Sequence, residues 1–590
     1  MRSLWRTLSR PVYIPLADRA EDTYRALSRT GRALFILLAG VMIASCAGLL
    51  YLLNDSLIRP VPAYGGSVSE GIVGSPRFVN PVLAVSDADR DLSILIYSGL
   101  LRATPEGRYV PDLAESYTLS DDGLTYTFAL RGNATFHDRT PVTADDVVFT
   151  VGKAQNAAIK SPLRANWNGV TVEAVDPRTV RFTLRQRYAP FIHNLTLGIL
   201  PKHLWQNVSD EEFPFSDLNT SPVGSGPFMV GNISRTPSGI PSSYELDSFR
   251  GYALGAPFLS SIVLSFYQSE SALADALKQG DVEAGSGLSP AMLSDIPGAN
   301  IERSALNRVF GVFFNQNQSE VLRDIDVRRA LADSVDQDRL VKEVLDGYGT
   351  PLKGPIPPDI LPGSAPAATE SPATTSADAP VIAAQDRLTA KGWVKNDAGI
   401  LQKTVGKGKD AKTTALAFSL STGNVPELRA AAEYLRRQWG ALGADVDVKV
   451  FDQGDLSQNV IRPRKYDALL FGEVVGRELD LFAFWHSSQR NDPGLNVAAY
   501  ANSTADKILE DLRQTSNDQE RESLYEKFLA ELNRDVPAVF LYAPDFVYSI
   551  PKDVQGLDLG FIETPSDRFL SAPYWHREVD YVWPLFSRGK

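Results

Sequence analysis

Residues Ala33 to Leu53 read ALFILLAGVMIASCAGLLYLL, 21 residues without a charged side chain. No other feature narrows the possible folds as much. As an α-helix rising about 1.5 Å per residue, the run matches the ~30 Å hydrocarbon core of a bilayer. No later stretch is comparably long and apolar. Its flanks orient it: Arg2, Arg6, Arg10, Arg19, Arg25, Arg29 and Arg32 precede it, against Asp18, Glu21 and Asp22. The positive-inside tendency places residues 1–32 in the cytoplasm and everything after the 33–53 segment outside.

Ile43-Ala44-Ser45-Cys46 also has the form of a lipobox, in which the cysteine is lipidated and the preceding residues are removed. Against that, 32 residues are long for what precedes a signal peptide's apolar core. The apolar run also continues past Cys46 as AGLLYLL. An uncleaved single-pass anchor is the expectation, and a lipoprotein anchored at Cys46 is the alternative. Both place the same large portion outside the membrane.

At 590 residues the chain is too long for one hydrophobic core and predicts two to four domains. Its 44% hydrophobic and 22% charged residues belong to an ordinary globular protein. A net charge of −12 argues against a nucleic-acid partner, whose phosphates favour a basic surface. The single cysteine excludes an intramolecular disulfide framework.

The chain turns polar and proline-bearing over 54–63, as a short stalk would. Gly354 to Pro380, rich in Pro, Ala, Ser and Thr, reads as an extended loop. Elsewhere the pattern is mixed α and β. SVSEGIV, SIVLSFY, ADVDVKVFD, KYDALLFGEVV and PAVFLYAP read as strands. VRRALADSV, DRLVKEVLDG, PELRAAAEYLRRQWGALG and two segments near 506–513 and 520–533 read as helices. Helix–strand alternation predicts an α/β lobe built on a sheet with helical crossovers. Ser120-Asp121-Asp122-Gly123 followed by the alternating Leu124–Leu130 predicts a hairpin, because glycine accepts the positive φ of the tight turn. Thr143 with Asp146 is a capping-box pattern opening a helix.

Catalytic motifs are missing. The five histidines, His137, His193, His203, His486 and His576, are scattered, and no metal-ligand spacing appears, so neither a metal nor another cofactor is expected. GKGKDAKTT lacks the Gly-Lys-Ser/Thr of a phosphate loop and reads as a charged hairpin tip. No Gly-x-Ser-x-Gly elbow is present, and the lone cysteine lies within the apolar run. The balance favours a binder over an enzyme.

PDLAESYTLSDDGLTYTFALRGNATFHDRTPVTADDVVFT, Pro111 to Thr150, resembles the signature of the bacterial extracellular solute-binding proteins of family 5, the peptide- and nickel-binding receptors of ABC importers. The match departs at Arg139, where the family usually has Gly. SPVGSGPFMV, FGVFFNQNQSEVLRDIDVRRALADSVDQDRLVKEVLDGYGTP, FWHSSQRNDPGLNVAAYANSTADKIL and DVPAVFLYAP resemble further blocks of that family in the same order, over about Ser67 to Tyr548.

The resemblance implies an α/β, periplasmic-binding-protein-like (class II) two-lobe fold with an extra inserted domain, preceded by one N-terminal transmembrane helix. Lobe I would combine 64–83, 199–306 and 540–590. The extra domain would be 84–198, and lobe II 307–539, including the 354–380 loop. Crossings near Asn307–Asn315 and Ala538–Pro544 would act as hinges, and a ligand touching both lobes would favour closure. The implied function is the membrane-anchored, extracytoplasmic substrate-binding component of an ABC importer. It would be a monomeric ectodomain without enzymatic activity, capturing short peptides and delivering them to permease subunits.

A peptide receptor holds its ligand through the main chain, as in strand addition, and leaves roomy wet pockets for side chains. By resemblance, the ligand-binding positions are Glu70 and Gly71 on a lobe I strand and Phe471, Gly472, Glu473 and Val474 on a lobe II strand. Trp485, His486, Ser487 and Asn496 would face the cleft, with Phe313 and Asn315 near the hinge. Peptide receptors of the family often pair the ligand's α-ammonium with an Asp at the position of Gly476. A buried ammonium needs a counter-charge, so Glu473, Glu478 or Asp480 would substitute. Otherwise the ligand is a metal chelate, a sugar or a peptidoglycan fragment. A membrane-anchored hydrolase or a partner-binding protein on the same scaffold is the remaining alternative.

Overall fold

In the computed structural model the apolar run forms one helix, Arg29–Leu57, whose N-terminus is capped by Ser28 Oγ accepting from Gly31 N. The structure describes residues 23–293, 296, 300–357, 379–406, 411–515 and 517–583. Arg2, Arg6, Arg10, Arg19, Asp18, Glu21 and Asp22, most of the 354–380 loop and residues 407–410 of the charged tip lie outside them. The helix outruns the apolar segment at both ends, because Arg29–Arg32 and Asn54–Leu57 continue its hydrogen-bond ladder without an apolar requirement. Residues 54–63, expected as a stalk, therefore finish the helix and then form a strand, Arg59–Pro62. That strand pairs antiparallel with Val579–Val582. Among the described residues, 578–583 group with 23–63 as one unit, and those within 64–577 form the other.

In the larger unit, twelve strands among the described residues form one mixed sheet. In chain order they are β1 (Ser67–Val73), β2 (Phe228–Arg235), β3 (Pro241–Ser248), β4 (Ser261–Tyr267), β5 (Ala284–Ser286), β6 (Ile301–Ala305), β7 (Arg308–Phe314), β8 (Gly349–Pro351), β9 (Ala417–Gly423), β10 (Asp445–Phe451), β11 (Ala468–Val474) and β12 (Ala538–Ser549). Their spatial order is β10-β9-β11-β7-β12-β5-β1-β4-β3-β2, with β6 and β8 also on β12. β12 alone pairs with strands of both halves: with β7 and β8 over its first residues, and with β5 and β6 over its last.

Two predicted strands appear with their boundaries, SVSEGIV as β1 and SIVLSFY as β4, whereas KYDALLFGEVV shortens to β11 and PAVFLYAP extends to Ser549 as β12. The helix Pro426–Leu442 buries Ala432, Leu435 and Trp439 and ends on Gly443 in the left-handed region at φ 107°. That geometry joins helix to strand without a Cβ penalty.

The hairpin of the signature stretch pairs Ala114–Leu119 with Thr125–Leu130, within a four-stranded antiparallel sheet completed by Thr171–Asp176 and Thr179–Thr183. Alternation resolves as expected: Tyr126, Phe128 and Leu130 face the core, and Thr125, Thr127 and Ala129 do not. The Thr143–Asp146 capping box opens the helix Ala144–Gln155. Arg139 sits at φ 75°, a conformation costing roughly 1 kcal/mol for a residue with a Cβ. Its guanidinium lies over the Phe249 ring at 5.1 Å, a contact that glycine could not make.

Candidate functional site

β11 begins as an interior strand and ends with one side open. Ala468, Leu469 and Leu470 are buried, as their apolar run dictates. On one side β11 pairs with β7 along its whole length, from Phe314↔Ala468 to Arg308↔Val474. On the other, β9 pairs only with Ala468 and Leu469, and Thr422 Oγ1 donates to the Leu470 carbonyl at 3.1 Å. Phe471–Val474 thus present main-chain groups with no strand beside them, the template that an extended peptide can complete. Gly472 sits where a β-carbon would come within 2.7 Å of the Phe310 ring, so this part of the strand lies close on its neighbour.

Glu473 faces inward from this edge, opposite Val309. The residue is 3% exposed, and neither carboxylate oxygen has a hydrogen-bond partner. Burial alone pushes its pKa well above the ordinary carboxyl value. An unpartnered buried carboxyl is costly, and a cation arriving beside it would relieve that cost.

Three residues past Val474 the chain enters a cavity of about 460 Å³, within the range of small-ligand sites. Arg477 lines it from the β11 side, Tyr97, Arg102, Tyr109, Asp112 and His193 from the 84–198 segment, and Glu563, Ser566 and Asp567 from the later part of the chain. Arg477 ties these walls together. It donates to the Thr104 carbonyl at 3.1 Å, the Phe561 carbonyl at 2.9 Å and Asp567 Oδ2 at 2.7 Å, and its guanidinium lies 4.6 Å above the Phe561 ring. A β-carbon at residue 476 would stand 3.3 Å from Glu563 Oε1, so Gly476 leaves room for that carboxylate. Asp112 is buried, and burial pushes its carboxyl up to about 6, against hydrogen bonding from Ser98 and the charge of Arg102. Ser93 Oγ and Ser566 Oγ on the wall have no partner. The cavity therefore offers both signs of charge and free hydroxyls.

The other expected positions are engaged inside the protein. Glu70 accepts from Arg568 Nε at 2.8 Å and Tyr548 Oη at 2.7 Å, with Arg568 also bridging to Asp91. Its main chain is flanked by β4 and β5. At Gly71 a β-carbon would collide with Leu273. Phe313 and Trp485 are fully buried and pack at 6.0 Å between ring centroids. Asn315 Nδ2 donates to the Arg464 carbonyl at 2.9 Å. Asn496 Nδ2 donates to the carbonyls of Trp485, His486 and Tyr500, bracing that loop. His486 stacks on Phe482 at 4.0 Å, and Ser487 N donates to Asp506 Oδ1 at 2.8 Å. Phe313 and Trp485 thus come together, as do Trp485, His486, Ser487 and Asn496; Glu70 and Gly71 lie in the other half of the sheet.

Of the three acidic candidates, Asp480 is held by Arg513 at 2.6 and 2.8 Å and by Tyr188 Oη at 3.2 Å. Glu478 lies 3.7 Å from Arg521. Glu473 alone among the three is without a cation. The cavity walls were not anticipated from the sequence. Arg102 and Asp112 stand hundreds of residues before Arg477 and Glu563, and the four share no motif. Among the described residues, no group of three or more His, Cys, Asp or Glu converges as metal ligands would.

A model of the bacterial extracellular solute-binding proteins, family 5 (middle region), matches residues 108–494. The oligopeptide-binding protein AppA of Bacillus subtilis is 26% identical over 526 residues, covering 84% of this chain and 89% of AppA. The structure of AppA in complex with a nonapeptide aligns with a TM-score of 0.64 at 25% identity, over 87% of this chain and 99% of that one. NikZ from Campylobacter jejuni, in complex with Ni(L-His), aligns equally well, with a TM-score of 0.64 at 25% identity, over 86% and 99%. The mixed α/β architecture is that of the periplasmic binding proteins.

Proposed function

The chain belongs to family 5 of the bacterial extracellular solute-binding proteins, and on that premise we propose that it is the membrane-anchored, extracytoplasmic receptor of an ABC importer, capturing short peptides between two lobes. The observation that carries this reading is the open edge of Phe471–Val474, with the bare Glu473 carboxyl in the same strand and the mixed-charge cavity three residues on. Main-chain pairing at the edge holds any sequence, Glu473 receives the ligand's ammonium, and the cavity takes a side chain or terminus. Phe313, Asn315, Trp485, His486, Ser487 and Asn496 brace the half of the sheet that carries this edge, and Glu70 and Gly71 secure β1 in the other half.

The lobes are 64–83 with 199–306 and 540–577, and 307–539, with 84–198 as the extra domain and β12 as a crossing between them; 578–583, expected in lobe I as part of 540–590, group instead with the N-terminal helix. Arg477 reaching Asp567, and the Arg513 carbonyl accepting from Ala189 N at 3.0 Å, belong to the closed arrangement. A ligand bridging the lobes adds to the same set of contacts. Helix Arg29–Leu57 is the uncleaved anchor, residues 1–28 are cytoplasmic, and permease subunits are the downstream partners.

Native mass spectrometry of the detergent-solubilised full chain tests this reading. We expect a family of adducts that leave on denaturation and fragment as short peptides. A single non-peptide mass would replace the peptide with another solute. In a peptide titration, Glu473→Gln lowers affinity roughly tenfold or more, as loss of a buried charge partner does. Unchanged affinity would remove Glu473 from the site.

A further inference from the structure

We propose that the ribbon formed by Arg59–Pro62 and Val579–Val582, with Trp583 beside it, lies in the headgroup layer of the phospholipid bilayer, so that the chain meets the membrane surface at both ends of its extracytoplasmic part. This deepens the reading of Arg29–Leu57 as an uncleaved anchor and rests on it. The depth follows from arithmetic along the helix. The uncharged run Ala33–Leu53 fills a ~30 Å hydrocarbon core, and Asn54–Leu57 adds about 6 Å, which ends within the interfacial layer. Asn54 is the first polar side chain after that run. Trp583 Nε1 donates to Asn54 Oδ1 at 2.8 Å. The indole from the far end of the chain is thereby fixed at the depth where the hydrocarbon ends.

The ribbon is built for that depth. Its register pairs Pro60 with Tyr581 and Pro62 with Val579. Alternation places these four on one face, opposite Arg59, Val61, Asp580 and Val582. The first face is uncharged, and Pro60, Pro62 and Tyr581 on it are exposed, Tyr581 at 67%. Trp583 follows two residues after Tyr581 and is 44% exposed, while Tyr51, in the last part of the apolar run, is 70% exposed. In water this would be an unpartnered aromatic patch. Beside a membrane span it matches the belt in which Trp and Tyr settle, with rings in the apolar boundary and polar tips in the wet layer. Among the strands of this unit, the two prolines also remove donors from Arg59–Pro62, which leaves a poor edge for a further strand and favours lipid as the occupant.

The test uses the full chain in nanodiscs of phosphatidylcholine brominated high on the acyl chain, with Trp583→Phe as the subtraction control. Trp167, Trp205, Trp393, Trp439, Trp485 and Trp575 are buried and cancel in the difference. We expect intact mass to include residues 1–45, and the Trp583 difference emission to be blue-shifted and quenched roughly twofold or more, as for an interfacial indole. A nitroxide at Tyr581→Cys in a Cys46→Ala background should be more accessible to oxygen than to an aqueous nickel chelate. Intact mass with an unquenched, red-emitting Trp583 and a chelate-accessible label overturns the ribbon placement alone. A mass lacking the N-terminal residues overturns the anchor reading, and the ribbon placement with it.

Discussion

Glu70 and Glu473 are both carboxylates in strands of the same sheet, 0% and 3% exposed, yet their surroundings are opposite. Glu70 shares the Arg568 guanidinium with Asp91 and receives the Tyr548 hydroxyl. Burial pulls the Arg568 pKa down, but the Asp91 and Glu70 charges outweigh it and keep the guanidinium protonated. This network joins β1, the helix Asp87–Ile96 and the C-terminal segment Pro565–Tyr574. Glu473 has no partner, and lies in the strand whose outer edge is open. A buried charge that serves the fold is saturated with partners. One left bare beside an open edge is what the proposed ligand site would use.

The largest effect should come from Arg568→Met, which strands two buried carboxylates. It is expected to cost about 3–5 kcal/mol, read as a fall in the melting midpoint; a shift equivalent to under about 1 kcal/mol would show that Glu70 tolerates the absence of a partner and would break the contrast. Tyr548→Phe removes one donor to a charged group and should cost about 1.5–3 kcal/mol in the same assay. Glu473→Leu should act with the opposite sign, stabilising the ligand-free chain by about 1–2 kcal/mol, because it removes an unsatisfied polar group. Destabilisation instead would mean that Glu473 supports the fold as Glu70 does.

The smallest effect is a slope. Burial raises the Glu473 carboxyl above 4.5 in the folded chain, so the folded state binds the extra proton between the two values. The stability it contributes is complete below about pH 4.5 and is lost as pH rises through the folded value. Glu473→Gln should flatten that decline in thermal melts of ligand-free protein between pH 4.5 and neutrality. Bound cationic ligand should flatten it too, by holding the carboxyl ionised. A slope unchanged in the variant would place the proton elsewhere, with Asp112 the next group to replace.

Legibility followed range. The hairpin turn was written in Asp-Asp-Gly, because Gly123 supplies the positive φ and Asp122 Oδ1 accepts from Leu124 N only two residues away. Strands β1, β4 and β11 were legible because each is a continuous apolar or alternating run. The edge at Phe471–Val474 was found only through the family resemblance. Nothing local in Phe-Gly-Glu-Val says that β9 stops pairing at Leu469. Asn496 and His486 were reasonable ligand candidates by residue type, yet the Asn496 amide is engaged by its own loop and His486 Nδ1 by Ser488, which leaves His486 Nε2 without a hydrogen-bond partner. Residues 54–63 looked like a stalk because proline suggests a linker. The strand there exists only because residues 579–582 return to pair with it.

What the sequence determined by itself was what acts within one helix or one hairpin: the 21-residue apolar helix, the caps, the turns and the strand faces. These depend on side-chain periodicity and backbone conformation, which are local. The tertiary structure alone decided which carboxylates are paired. Glu70 meets Tyr548 and Arg568 across 478 and 498 residues of chain, and Arg477 meets Thr104 across 373. A charge is neutralised, a cavity walled or an edge left open by whatever the fold brings beside it, and that neighbour is not encoded in the residues next to it in the chain.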